Sequence, residues 1–179
     1  MIIYEDVISG DEMLADTFKI VPNKDCPILW EVDCRKYMKS ANEDFELEGA
    51  NPSAEGGDDE GGEGETKMVH DIEDQFRLVW LKTEEGLKPS KEAFKGHLKS
   101  YVKKVLKALE AKGDAEAVAE FKANAAAAIK KISANYDNYD VMMGQSMDGD
   151  AMHILIDFRD DGVTPFATLW KHGLKENKV

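Results

Sequence analysis

Alternating and β-branched apolar positions near the start of the chain predict a set of short β-strands. These stretches are Met1–Tyr4, Met13–Ile20 and Ile28–Val32. Residues that favour turns separate them, as expected for consecutive strands. Strand character returns from Thr66 to Thr83, and its most apolar part is Phe76–Leu81. Three further strands are predicted at Tyr139–Met143, Met152–Asp157 and Phe166–Lys171.

A helical hairpin is predicted between these two groups of strands, from about residue 90 to about residue 135. Ser90 is a good N-cap, Gly113 ends the first helix, and Asp114 caps the second. Apolar residues recur every three or four positions along each helix, at Phe94, Leu98, Tyr101, Val105 and Leu109 and then at Val118, Phe121, Ala125, Ile129 and Ile132. Strands followed by one helical excursion and more strands indicate an α+β fold with antiparallel pairing, in a single domain spanning residues 1–179.

A low-complexity loop is predicted at about residues 49–65. Six of these seventeen residues are Gly and six are acidic, so the segment buries too little apolar surface to offset its ordering entropy. We expect it to be disordered from about Ser53 to Glu65. It is either a solvated linker or a segment whose carboxylates recruit a cation or a basic partner.

The charge of the chain is unevenly distributed. The formal net charge is −13, which disfavours binding to nucleic acid. The segment from Leu87 to Asn135 nevertheless holds eleven lysines and five acidic residues, a net charge of +6. Four lysines follow the polar side of the first helix at Lys95, Lys99, Lys103 and Lys107. This row is either a solvated helix face or a docking surface for an acidic partner.

The sequence offers no recognisable catalytic motif. It has no Gly-rich nucleotide loop, no zinc-protease helix and no nucleophile elbow. The four histidines share no ligand spacing, and Cys26 and Cys34 are interpreted as small buried hydrophobes. The chain lacks an apolar run of about eighteen residues and a basic, cleavable leader pattern, so neither membrane insertion nor a signal peptide is expected.

Three stretches of the chain resemble a known family. Residues 49–56, Gly-Ala-Asn-Pro-Ser-Ala-Glu-Gly, with the acidic sequence after them, resemble the first signature of the translationally controlled tumour protein family. Residues 1–13 are similar to that family's N-terminus, and residues 139–175 to its second signature, most clearly from Leu155 to Phe166. The similarity covers the whole chain. It implies an antiparallel β-tent core, like that of the Rab guanine-nucleotide-release factor, with a projecting α-helical hairpin.

The resemblance also implies a function. Members are described as mainly cytoplasmic, multi-partner binding proteins without an established catalytic activity, linked to growth, translation and cell survival. Some are secreted without a signal peptide. The implied partners are tubulin and microtubules, translation elongation factors, anti-apoptotic survival proteins and a Rheb-type small GTPase, together with weakly bound calcium. Guanine-nucleotide exchange on that GTPase is the alternative function, and a dedicated calcium buffer is a third possibility.

Four residues match positions to which the family's contacts are attributed. Glu12 matches an acidic residue tied to GTPase contact, and Asn51 matches the signature asparagine. Gln145 stands where the family usually has Glu, so the hydrogen-bonding capacity is kept and the charge is lost. Asn51 and Asp140 are the candidate calcium ligands. The row of four lysines adds a basic helix face for tubulin.

Overall fold

The computed structural model describes residues 1–40 and 66–179, so the predicted loop at 49–65 lies outside the described residues. The described part is a mixed α+β fold with antiparallel sheets, as the sequence predicts. The strands are β1 Ile2–Asp6, β2 Glu12–Ala15, β3 Ile20–Pro22, β4 Leu29–Asp33, β5 Lys36–Ser40, β6 Thr66–His70, β7 Val79–Trp80, β8 Asp140–Met143, β9 His153–Phe158, β10 Pro165–Trp170 and β11 Leu174–Lys178. The α-helices are α1 Asp71–Phe76, α2 Lys91–Lys112 and α3 Ala115–Ala134. Three sheets have the strand orders β11-β1-β2, β3-β4-β10-β9-β8-β7 and β5-β6.

Helices α2 and α3 form the predicted hairpin, and its caps are the predicted residues. The Ser90 hydroxyl accepts a hydrogen bond from the Ala93 N–H at 3.2 Å, and the Asp114 carboxylate accepts one from the Ala117 N–H at 3.1 Å. Gly113 ends α2 with a φ of 80°, in the left-handed region that favours glycine. None of the described helices combines the length and the apolarity that crossing a bilayer requires.

The apolar stripes of the hairpin bury it against the six-stranded sheet. All five stripe residues of α2 are buried, whereas Val118 and Ile129 of α3 are only partly buried. The rings of Tyr101 and Phe121 lie 5.7 and 6.1 Å from the ring of Trp170 in β10. Aromatic contacts at these centroid distances are favourable and add to the burial of apolar area.

The strand predicted from Thr66 to Thr83 is wrong, because a short helix interrupts it. β6 ends at His70, and α1 follows with three acidic residues in its first turn, which favour a helix N-terminus. Glu73 accepts a hydrogen bond from the His70 N–H at 3.1 Å and thereby caps the helix. Ile72 and Phe76 are four residues apart and are both buried. The pattern at these positions is therefore helical, but it is too short to stand out within an apolar stretch.

Two other strand predictions need correction. The stretch Met13–Ile20 contains the end of β2, a turn and the start of β3, rather than one strand. The sequence gives no signal for β11, since four of its five residues are exposed and polar or charged. β11 pairs with β1 in antiparallel register, with Ile2 opposite Lys178 and Asp6 opposite Leu174. Backbone hydrogen bonding to β1, rather than burial of its own side chains, therefore holds β11 in place.

A fully buried carboxylate ties three parts of the fold together. Asp6, at the end of β1, is inaccessible to solvent. Its carboxylate accepts hydrogen bonds from the Ile8 N–H and the Met152 N–H, each at 2.8 Å. Burial raises the pKa of the Asp6 carboxyl above its usual value, and the donated hydrogen bonds act against that increase. The end of β1, the turn after it and the loop before β9 thus share one buried acceptor.

Replacing Asp6 with Ala should destabilise the protein more than loss of an ordinary surface carboxylate. The buried N–H of Met152 and the partly buried N–H of Ile8 would lose their acceptor, at a cost on the order of 3 kcal/mol. For a chain of this size we expect the midpoint of thermal unfolding to fall by about 10 °C. Differential scanning calorimetry measures this, with Asp16→Ala as the control because Asp16 is exposed. Equal midpoints for the two variants would contradict a structural role for the buried carboxylate.

Candidate functional site

Two of the sequence-predicted contact residues, Glu12 and Gln145, meet in one cleft. The cleft has a volume of about 410 Å³. Its lining residues are Gly10, Asp11, Glu12, Gln75, Phe76, Arg77 and Gln145. Both predicted residues are exposed, so their side chains are available to a partner. Asn51, the third predicted contact, lies outside the described residues.

The turn between β1 and β2 places Glu12 at the edge of the cleft. The Gly10 N–H donates to the Asp6 carbonyl oxygen at 2.8 Å, and the Asp6 N–H donates to the Asp11 carbonyl oxygen at 2.8 Å. Gly10 has a φ of 81°, a conformation that glycine adopts without steric cost. Because this turn is closed by several hydrogen bonds, Glu12 leaves it in a defined direction as the first residue of β2.

A hydrogen-bonded contact between two loops holds Gln145 beside this turn. The Asp11 carboxylate accepts from the Ser146 hydroxyl at 2.7 Å and from the Ser146 N–H at 3.2 Å. The absence of a side chain at Gly144 permits this approach, since a Cβ there would collide with the Asp11 carboxylate. Gln145 is therefore fixed between two residues that both face Asp11.

Besides the turn before β2 and the loop that contains Gln145, the C-terminal end of α1 lines the cleft. Sequence analysis did not predict this helix. Arg77 follows the helix with a φ of 56° and a ψ of 44°, and its N–H donates to the Glu73 carbonyl oxygen. The Arg77 side chain is exposed. The sequence does not predict that Arg77 follows a helix, because residues 66–83 have the composition of a strand. A helix end there becomes visible only once α1 is recognised.

The row of lysines forms a second, separate candidate surface, which we call the lysine face: Lys95, Lys99, Lys103 and Lys107. All four side chains are exposed on α2. Within the described part of the chain they form no ion pair, whereas their neighbour Lys104 lies 3.3 Å from an Asp150 carboxylate oxygen. Four positive charges on one side of a helix are therefore without an ion-pair partner among the described residues.

The described residues do not form a set of calcium ligands around the predicted position. Asp140 is exposed at the start of β8, opposite Ile156 of β9, and Asn51 lies outside the described part. Residues 1–40 and 66–179 contain no group of three or more His, Cys, Asp or Glu side chains arranged to hold a metal ion. The described residues therefore provide no ready coordination frame around Asp140.

Two histidines from distant parts of the sequence lie together under the hairpin. The ring centroids of His97 in α2 and His153 in β9 are 4.2 Å apart. Burial, with a smaller effect of His153, lowers the pKa of His97 to about 4. Burial also lowers the pKa of His153, and both rings pack beside Phe94. Their spacing in the sequence gives no hint of this contact.

Neither cysteine is suited to nucleophilic chemistry. Cys26 and Cys34 are free thiols with 1% and 4% of their surface exposed. Burial raises the pKa of the Cys34 thiol to about 12, so the reactive thiolate is scarce at neutral pH. Their interpretation as small buried hydrophobes is confirmed.

A larger cavity of about 930 Å³ lies between the tip of the hairpin and β11. Three of its lining side chains contact one another. The Glu120 carboxylate lies 2.9 Å from the Lys171 ammonium and 3.0 Å from the His172 ring nitrogen Nε2. The lining also includes the charged residues Lys112, Asp114, Glu116 and Glu176.

Comparison with known proteins shows similarity to one family along the whole chain. Residues 1–175 match the family model of the translationally controlled tumour protein. A translationally controlled tumour protein homologue of Emericella nidulans is 72% identical over 181 aligned positions, covering 100% of both chains. The homologue of Saccharomyces cerevisiae is 38% identical, again over the full length of both chains. Among solved structures, a translationally controlled tumour-associated protein of Schizosaccharomyces pombe is similar with a TM-score of 0.76, 35% identity and complete coverage of both chains.

Proposed function

The chain belongs to the translationally controlled tumour protein family, and from that premise we propose that it is a non-enzymatic binding protein with several partners. Tubulin in microtubules is the first of them, bound through the lysine face. Translation elongation factors and anti-apoptotic survival proteins are the other partner classes that the proposal includes. It places the chain in the cytoplasm and links it to growth, translation and cell survival.

The observation that carries this proposal is the unbalanced charge of the lysine face. Side chains four residues apart on a helix lie about 40° from one another around the axis, so the four lysines stay on one side of α2. The protein as a whole is strongly acidic, yet these ammonium groups are exposed and unpaired within the described part of the chain. An acidic partner would supply the missing charges, and tubulin carries acidic tails. Exposed contacts of this kind set association rate and specificity, and they weaken in salt.

Changing all four lysines to Glu should abolish co-sedimentation with microtubules. Glu is also a good helix former, so far-UV circular dichroism should not change. A matched control changes four exposed lysines elsewhere, Lys19, Lys24, Lys122 and Lys178, and thus alters the net charge equally. We expect the control to co-sediment like the wild type at low ionic strength. If both quadruple variants lose binding, overall charge rather than the lysine face governs it. If the lysine-face variant co-sediments like the wild type, the face is only a solvated surface.

A second function, regulation of a Rheb-type small GTPase, is favoured by the cleft. We propose that Glu12 and Gln145 contact the GTPase together, since they line the same cleft although they are distant in the sequence. An exchange factor requires a rigid, preformed surface. The hydrogen bonds from Ser146 to Asp11 provide this rigidity between the two loops. No chemistry is required of either residue, because distortion of the nucleotide site by binding is sufficient.

Glu12→Ala should slow nucleotide release from the GTPase about tenfold relative to the wild-type protein, the effect of losing one charged contact. Gln145→Glu should accelerate release, since it restores the carboxylate usual in the family. The measurement uses a fluorescent guanine nucleotide bound to the Rheb-type GTPase of the same organism. Glu84→Ala is the control, because Glu84 is exposed and lies outside the cleft. Equal release with Glu12→Ala and Glu84→Ala would remove the cleft from the mechanism.

We further propose that calcium binds weakly and is not a structural cofactor, with Asp140 among its oxygen ligands. Sites without a fixed coordination frame bind calcium with a dissociation constant on the order of 10⁻³ M. Titration followed by amide NMR should show gradual shifts around residue 140 that Asp140→Asn diminishes. The exposed Asp16, changed to Asn, is the control. Saturation at micromolar calcium would contradict weak binding.

A further inference from the structure

We infer that Arg77 is a third contact residue of the cleft and that it recognises a carboxylate on the protein partner that Glu12 contacts. This inference rests on the proposed GTPase contact and adds to it the charge that the partner must present. Three observations support it: the conformation of Arg77, the absence of a side-chain partner for it within the described part of the chain, and the charges around it.

The conformation of Arg77 is unfavourable for a residue with a side chain. Left-handed backbone is the usual role of glycine after a helix, and in this chain Gly86 and Gly113 fill the same place after other helices. Within residues 1–40 and 66–179, only Arg77 and Met147 have a positive φ without being glycine. A strained position that keeps a large side chain is a candidate for function.

Arg77 is exposed to solvent. It takes part in no ion pair or side-chain hydrogen bond within the described part of the chain. Of the other two arginines, Arg159 lies against the carboxylates of Glu31 and Asp33, whereas Arg35 is exposed and, like Arg77, has no side-chain partner among the described residues. Five N–H donors in a planar fork suit a carboxylate or a phosphate, and at Arg77 these donors are exposed at the edge of the cleft.

The neighbouring charges select a carboxylate rather than a phosphate. Asp11 and Glu12 line the same cleft as Arg77, so a multiply charged phosphate would meet two carboxylates there. A partner surface with one acidic and one basic side chain fits better. Its carboxylate would pair with Arg77 and its cation with Glu12. The short helix α1 positions Arg77, and the turn before β2 positions Glu12.

The test measures affinity of the full-length protein for the nucleotide-free Rheb-type GTPase by biolayer interferometry. Arg77→Gly should weaken binding about tenfold, and Arg77→Glu should weaken it further. Arg77→Gly should not lower the midpoint of thermal unfolding, because glycine adopts this backbone conformation freely. Lys24→Glu, at an exposed site outside the cleft, is the control and should bind like the wild type. Millimolar inorganic phosphate added at constant ionic strength should not compete.

The outcomes separate the inference from the function on which it rests. If the wild type does not bind the GTPase, both are overturned. If Glu12→Ala weakens binding while Arg77→Gly binds like the wild type, the GTPase contact stands and the role of Arg77 is overturned. Competition by phosphate would overturn the assignment of a carboxylate as the recognised group.

Discussion

The buried carboxylate of Asp6 is the constraint on which the rest of the structure depends. A fully buried acid must be compensated by hydrogen bonds, and here backbone N–H groups from two different segments provide them. One segment is the turn that leads to Glu12, and the other follows the loop that contains Gln145. Two contacts therefore hold the two segments that form the candidate cleft. The buried contact is made by Asp6, and the contact at the surface is the hydrogen bonding between Asp11 and Ser146.

The helical hairpin could be predicted from the sequence because its signals are long and redundant. Caps at Ser90 and Asp114 agree with apolar stripes that continue over many turns. Strand β11 could not be predicted, since its polar side chains carry no alternation and only pairing with β1 defines it. The cleft could be predicted only in part. Glu12 and Gln145 were named through a family resemblance, but their meeting depends on a hydrogen bond between Asp11 and Ser146, 135 residues apart, and Arg77 depends on an undetected helix.

The two candidate surfaces differ in the physics of recognition. The lysine face presents charge of a single sign on an extended helix, so it can attract many acidic surfaces without requiring a particular shape. The cleft presents both signs within a small volume, so it favours a partner whose charges match in position as well as in sign. A protein carrying both surfaces can combine broad association with one selective contact, which is consistent with binding to several partners.

The pairing of β1 with β11 has a consequence for how the chain is made. Ile2 pairs with Lys178, so ribosomal synthesis produces these partner strands almost a whole chain length apart. The hairpin, whose contacts are local, can form while synthesis continues. The outer edge of β1 stays unpaired until β11 has left the ribosome, and an unpaired edge can associate with other strands. During that interval the nascent chain depends on rapid completion, or on a chaperone, to keep that edge from pairing with the wrong strand.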